Sequence, residues 1–166
     1  MIHAIHPSSG NVPQLSDECI KSGVEMMTRD FRATDSDRSI DTGIQFQLAT
    51  HDPSGNPTNG IVRYSNDDWF YAEKTPDGSS FWTARWDQSR YLNIFIKSTQ
   101  DTRNGGSLTL LGYAFFPYDT PSPIDGIVML WRFWGALSGY GALYGGCGYA
   151  GEDGETAAHE VGHYLA

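Results

Sequence analysis

Apolar residues recur at helical spacing early in the chain, where Ile20, Val24, Met27 and Phe31 fall on one stripe. A helix that buries one face has this pattern. Ser16 stands where its hydroxyl can accept a free amide hydrogen of the first turn, and Asp17 and Glu18 suit the positive end, so the spacing predicts a helix over roughly 16–31. Ahead of it, MIHAIH reads as a strand already under way. GIQFQLAT, from Gly43, alternates as a strand does and runs into HDPSGNP, whose Pro53, Gly55 and Pro57 mark a turn before the extended IVRY. A hairpin, or a strand with a long exit, is expected there. YLNIFIK, Tyr91 to Lys97, is apolar on both faces, which predicts a central strand covered on two sides. LLGYAFF ends at Pro117, a Pro-rich loop follows, and DGIVMLWRFWG predicts a strand from about Gly126. Residues 65–90 mix aromatics with polar residues at no single period and predict no element. A Gly-rich stretch over 139–154 leads into a terminal helix. The order of strand, helix, strands and helix predicts the α/β class, a sandwich built on a twisted mixed sheet.

The 166 residues suit one domain with a genuine core. A formal charge of -9, from 20 acidic against 11 basic residues, argues against a nucleic-acid partner, which needs clustered cations. No apolar run is long enough to span a membrane, and residues 1–15 lack the regions of a signal peptide. Because it starts inside a strand and ends inside an uncapped helix, the chain reads as cut at both ends. Cys19 and Cys147 permit one disulfide or two buried thiols, and their sequence separation does not choose between them.

The closing stretch TAAHEVGHYLA carries the candidate chemistry. Residues four apart on a helix are rotated by about 40° and displaced by about 6 Å, so His159 and His163 point the same way and can share a metal. Glu160 lies one step round, close enough to take a proton from water at the metal without coordinating it. Zinc fits two imidazole ligands best, and hydrolysis of a peptide bond is the implied reaction. Thr156 is the expected N-cap, and Gly162 inside the helix predicts close backbone packing.

Around this motif, MTRDFRATD, IQFQLATHDPSGNPTNGIVR, WDQSRYLNIFI, LLGYAFFP, DGIVML and ETAAHEVGHYL occur in one order. Together they resemble the pappalysin family of metzincin zinc endopeptidases over most of residues 1–166. The resemblance implies a secreted protease in which 1–166 form the N-terminal, upper part of a zincin-like catalytic domain. That part would hold a twisted mixed sheet, a backing helix and an active-site helix, with an extended peptide or protein substrate lying along an edge strand. His159 and His163 match the family's first two Zn2+ ligands and Glu160 its general base. The family pattern continues to a third His, three positions beyond the last residue here, and to a lower subdomain with a Met-turn. Ala166 stands where the family has Gly. The resemblance thus implies weak metal binding and little proteolysis by these residues alone.

DGIVMLWRF, through Ile127, Val128, Met129 and Leu130, is the candidate edge strand, contributing backbone groups to substrate. A buried strand serving only the sheet is the competing reading. His3 and His6, three apart on a strand, face opposite ways and are read as structural, and His51 as exposed. DSDRSIDTG alternates Asp35, Asp37, Ser39 and Asp41 like a calcium loop but has Ile40 where Gly is needed and Phe46 where a bidentate Glu is needed. It is read, with Glu152 and Asp153, as a solvated acidic loop, a structural Ca2+ in the complete protein being the competing reading. Two rival functions stay open: a zincin class with a downstream Glu as third ligand, and a non-catalytic peptide-binding module.

Overall fold

A computed structural model describes residues 1–9, 12, 14–33, 40–73, 80–101, 108–115, 124–135, 147 and 155–165. The first strand, β1 (Ile2–His6), is followed by α1 (Asp17–Phe31), β2 (Ile61–Ser65), the short α2 (Asp67–Tyr71) and β3 (Ile94–Lys97). A two-stranded ribbon, β4 (Gln100–Asp101) with β5 (Leu108–Thr109), precedes β6 (Gly112–Ala114), β7 (Ile127–Leu130) and α3 (Glu155–Leu165). Five strands form one sheet in the order β2-β1-β3-β7-β6. The first four are parallel, and among the described strands of this sheet β6 runs antiparallel to its neighbour, pairing Gly112 with Met129 and Ala114 with Ile127. The mixed α/β architecture is the one expected.

The first helix forms as its spacing predicts. The Ser16 side chain accepts from the Cys19 amide at 3.1 Å, and Ile20, Val24 and Met27 are buried. The central strand β3 lies between β1 and β7 with all four side chains buried, as its two-sided apolar pattern requires. One of those side chains is Lys97, whose Nζ donates to Ala72 O at 2.7 Å and to Ser98 O; burial lowers its pKa to about 7. Around Phe95 of β3, His3 stacks at 4.4 Å and Phe81 and Trp82 meet the ring edge-on at 5.1 and 4.8 Å. Trp134 is fully buried and donates its indole hydrogen to Ile20 O at 3.2 Å, tying the segment after β7 to α1. Cys19 and Cys147 form a disulfide with Cα atoms 5.3 Å apart, which decides between the two thiol states left open by the sequence.

Of the expected hairpin, or strand with a long exit, only the turn is paired: residues 43–50 are extended outside any named strand, and the turn beyond them is closed antiparallel by the His51–Pro57 bridge, with the Thr58 amide donating to Thr50 O at 3.0 Å and the Asp52 amide to Asn56 O at 2.8 Å. At Phe46 the extended backbone is held by α1, where Thr28 Oγ1 donates to Phe46 O at 3.1 Å and accepts from Phe46 N at 2.9 Å. Strand β2 then pairs with β1, the strand far upstream, so the turn over 52–56 links an extended strap to a sheet strand. The Asp35, Asp37 and Ser39 positions, Glu152 and Asp153 lie outside the described residues.

Candidate metal centre

Helix α3 lies against α1, β6 and β7. Ala157 and Val161, four apart, are buried and fix its inner face, whereas His159 and His163 are exposed on another. Their Nε2 atoms approach to 2.9 Å, with ring centroids 4.5 Å apart and planes at 90°. Two ring nitrogens this close must share a proton or a cation, since lone pairs facing each other repel. Neutral imidazole nitrogens converging from one helix face are the donor set that fits zinc. Among the described residues, no group of three or more His, Cys, Asp or Glu is placed to hold a metal.

Glu160 is buried between this face and the sheet. Room for it comes from β6: a Cβ added to Gly112 would lie 2.8 Å from Glu160 Cγ and 2.9 Å from Met129 Sδ. The edge strand and the candidate general base therefore touch. In the next turn, half-buried Tyr164 donates its hydroxyl to Asp125 Oδ1 at 2.8 Å, and burial together with that carboxylate raises the phenol's pKa above its ordinary range.

Other parts of the expected site move. Ile127, Val128, Met129 and Leu130 are buried, and β7 lies between β3 and β6. Its backbone groups are already used on both sides, the Ile127 amide donating to Asn93 O at 3.0 Å and the Leu130 amide to Leu111 O at 2.9 Å. The edge-strand expectation for these four residues is thus corrected: β7 is an inner strand, and among the described residues β6 ends the sheet. Gly162 is also corrected, because a Cβ there would meet open space rather than packed backbone. Thr156 sits inside the first turn of α3, which begins at Glu155, and so does not cap it. His3 and His6 fall in separate settings. His3 Nε2 contacts Asn93 Oδ1 at 3.0 Å in the core, and His6 Nε2 meets Gln14 Nε2 at 2.8 Å. His51 is exposed, as expected.

Comparison with known proteins bears on this geometry. The chain is similar to an extracellular metalloprotease of Arthroderma gypseum, with 24% identity over 163 residues, 95% of this chain and 43% of that protein. Among solved structures it is similar to mirolysin in complex with a compound, at a TM-score of 0.72 and 28% identity. Mature mirolysin of Tannerella forsythia in complex with a cleaved peptide gives a TM-score of 0.69 and 29% identity. Each of these two comparisons covers 99% of this chain and 60% of the other. Its relatives are metalloproteases. The five-stranded mixed sheet with its helices matches the metzincin-like fold of mirolysin. The chain spans less than half of the curated relative and three fifths of mirolysin. No protein-family model matches the chain. No helix among the described residues is long and apolar enough to cross a membrane.

Proposed function

We propose that residues 1–166 form the upper, metal-bearing part of a secreted zinc metalloendopeptidase of pappalysin type. The observation that carries this reading is the convergence of His159 and His163 Nε2 at 2.9 Å on an exposed helix face, with Glu160 buried beside them. The metalloprotease relatives support it, and so does the disulfide, a linkage typical of oxidising, extracellular compartments.

His159 and His163 would hold the zinc, with a third ligand from the complete protein: a His by family pattern, a Glu in the rival zincin class. Bound zinc supplies Lewis acidity toward a peptide carbonyl and lowers the pKa of water to roughly 7. Glu160 accepts the proton that attacking water must lose and returns it to the leaving amine. Its burial keeps that carboxylate close to the reacting atoms and away from bulk solvent. An extended substrate pairs with β6, where Gly112–Ala114 end the sheet among the described residues, and so runs directly past Glu160. Two protein ligands hold zinc far less firmly than three, so residues 1–166 alone would bind it weakly and cleave little.

The complete protein should cleave peptides in a chelator-sensitive way that added zinc restores. Glu160→Gln should lower kcat by about 10^2 to 10^4-fold while zinc stays bound at one equivalent. Turnover retained by that variant would remove Glu160 from the reaction. Peptide binding without any turnover in the unsubstituted protein would favour the non-catalytic module instead.

A further inference from the structure

The last turn of α3 has an unusual combination of residues. It carries His163, and while Gly162, His163 and Leu165 are exposed, Tyr164 is the residue of that turn that packs against the core among the described residues. Gly162 meets nothing that would require a glycine, and glycine loosens a helix by leaving its backbone unrestrained. A loose link therefore stands between the two histidines, and something must fix the part beyond it.

We infer that Tyr164 and Asp125 form a positioning pair that holds His163 in register with His159, an inference that rests on the zinc reading above. The phenol donates to Asp125 Oδ1 at 2.8 Å, joining the end of α3 to the residue that precedes Gly126 and β7. Asp125 is itself on a rigid footing. Gly126 adopts φ +129, a conformation that L side chains rarely adopt, and an added Cβ there would collide with Asn93 O. The amide of Ile127 donates to that same oxygen at 3.0 Å. Asn93 is fully buried, and its side chain bonds His3 Nε2, the amide and carbonyl of Trp86 and the carbonyl of Tyr91. The hydrogen bond thus couples the rotation of the last helical turn to a fixed node of the sheet. Groups hydrogen-bonded directly to a metal ligand typically change metal affinity by roughly 10–100-fold when removed, and a pair that fixes the ligand's helical turn is expected to act in the same direction. In this role both residues act through His163.

The test measures zinc affinity of the complete protein by competition with a chromophoric chelator, alongside thermal melting of the metal-free form. Tyr164→Phe should weaken zinc binding by roughly 10–100-fold. Asp125→Ala should do the same, and the double variant should be no worse than either single one. Asp125→Asn, which keeps an acceptor oxygen, should bind nearly as the unsubstituted protein does. A Tyr164→Phe protein that melts lower yet binds zinc unchanged would overturn the inference, reducing the pair to a fold contact. Additive losses in the double variant would overturn it as well. Failure of the underlying zinc reading looks different: the unsubstituted protein would then bind zinc no better than His163→Ala does.

Discussion

Burial keeps His3 neutral. The ring has no exposure, stacks on Phe95 and meets Asn93, and desolvation lowers its pKa from 6.5 to about 4. Between those two values the unfolded chain binds a proton that the folded one does not, so stability falls as pH is lowered across that window, and the decline levels off below about 4, where both states are protonated. The effect is on the order of 3 kcal/mol at most. Urea unfolding at a series of pH values should show that decline, and His3→Gln should flatten it; an unchanged slope would assign the acid sensitivity to other groups. Spacing alone placed His3 and His6 apart, because strand geometry sends residues three apart to opposite faces. It also placed His159 and His163 together, because helix geometry does the reverse. The partners of Tyr164 and Glu160 were not legible, since Asp125 and Gly112 come from strand ends that only the fold brings to α3.

Among the elements, β6 and α3 are in direct contact through Gly112. Any side chain at this position must displace Glu160 Cγ or Met129 Sδ. Gly112→Ala in the complete protein should therefore lower kcat, by up to about 10^2-fold for a displacement near 1 Å, with KM little changed and zinc retained. Loss confined to KM would instead mean that Gly112 matters only for pairing with substrate. The helices α1 and α3 and the central strand were legible because their apolar periods state how many faces are covered, whereas the short α2 was not, since the aromatics of residues 65–90 follow no single period. The rank of β7 was not, because IVML has the same composition whether its last hydrogen-bonding edge faces peptide or a short antiparallel strand. The pairing of the strap over residues 43–50 was not legible for a related reason. Alternation announces an extended backbone but not its partner, and at Phe46 the partner is the Thr28 side chain.

Across the whole molecule, the sheet order sets α3 beside β6 and β7, and the Cys19–Cys147 bridge closes a loop of 128 residues between α1 and the approach to α3. A cross-link over so long a loop restricts the unfolded chain strongly and stabilises by a few kcal/mol. The formal charge of -9 had already argued against a nucleic-acid partner, and the closing His-Glu-His stretch pointed to peptide chemistry. The proposed activity depends on one metal seated between two imidazoles, and crystals of the complete protein would test this most directly through anomalous scattering at the zinc edge. The account predicts one strong peak about 2.0–2.1 Å from Nε2 of both His159 and His163. A peak elsewhere, with the two rings turned into separate surroundings, would contradict it.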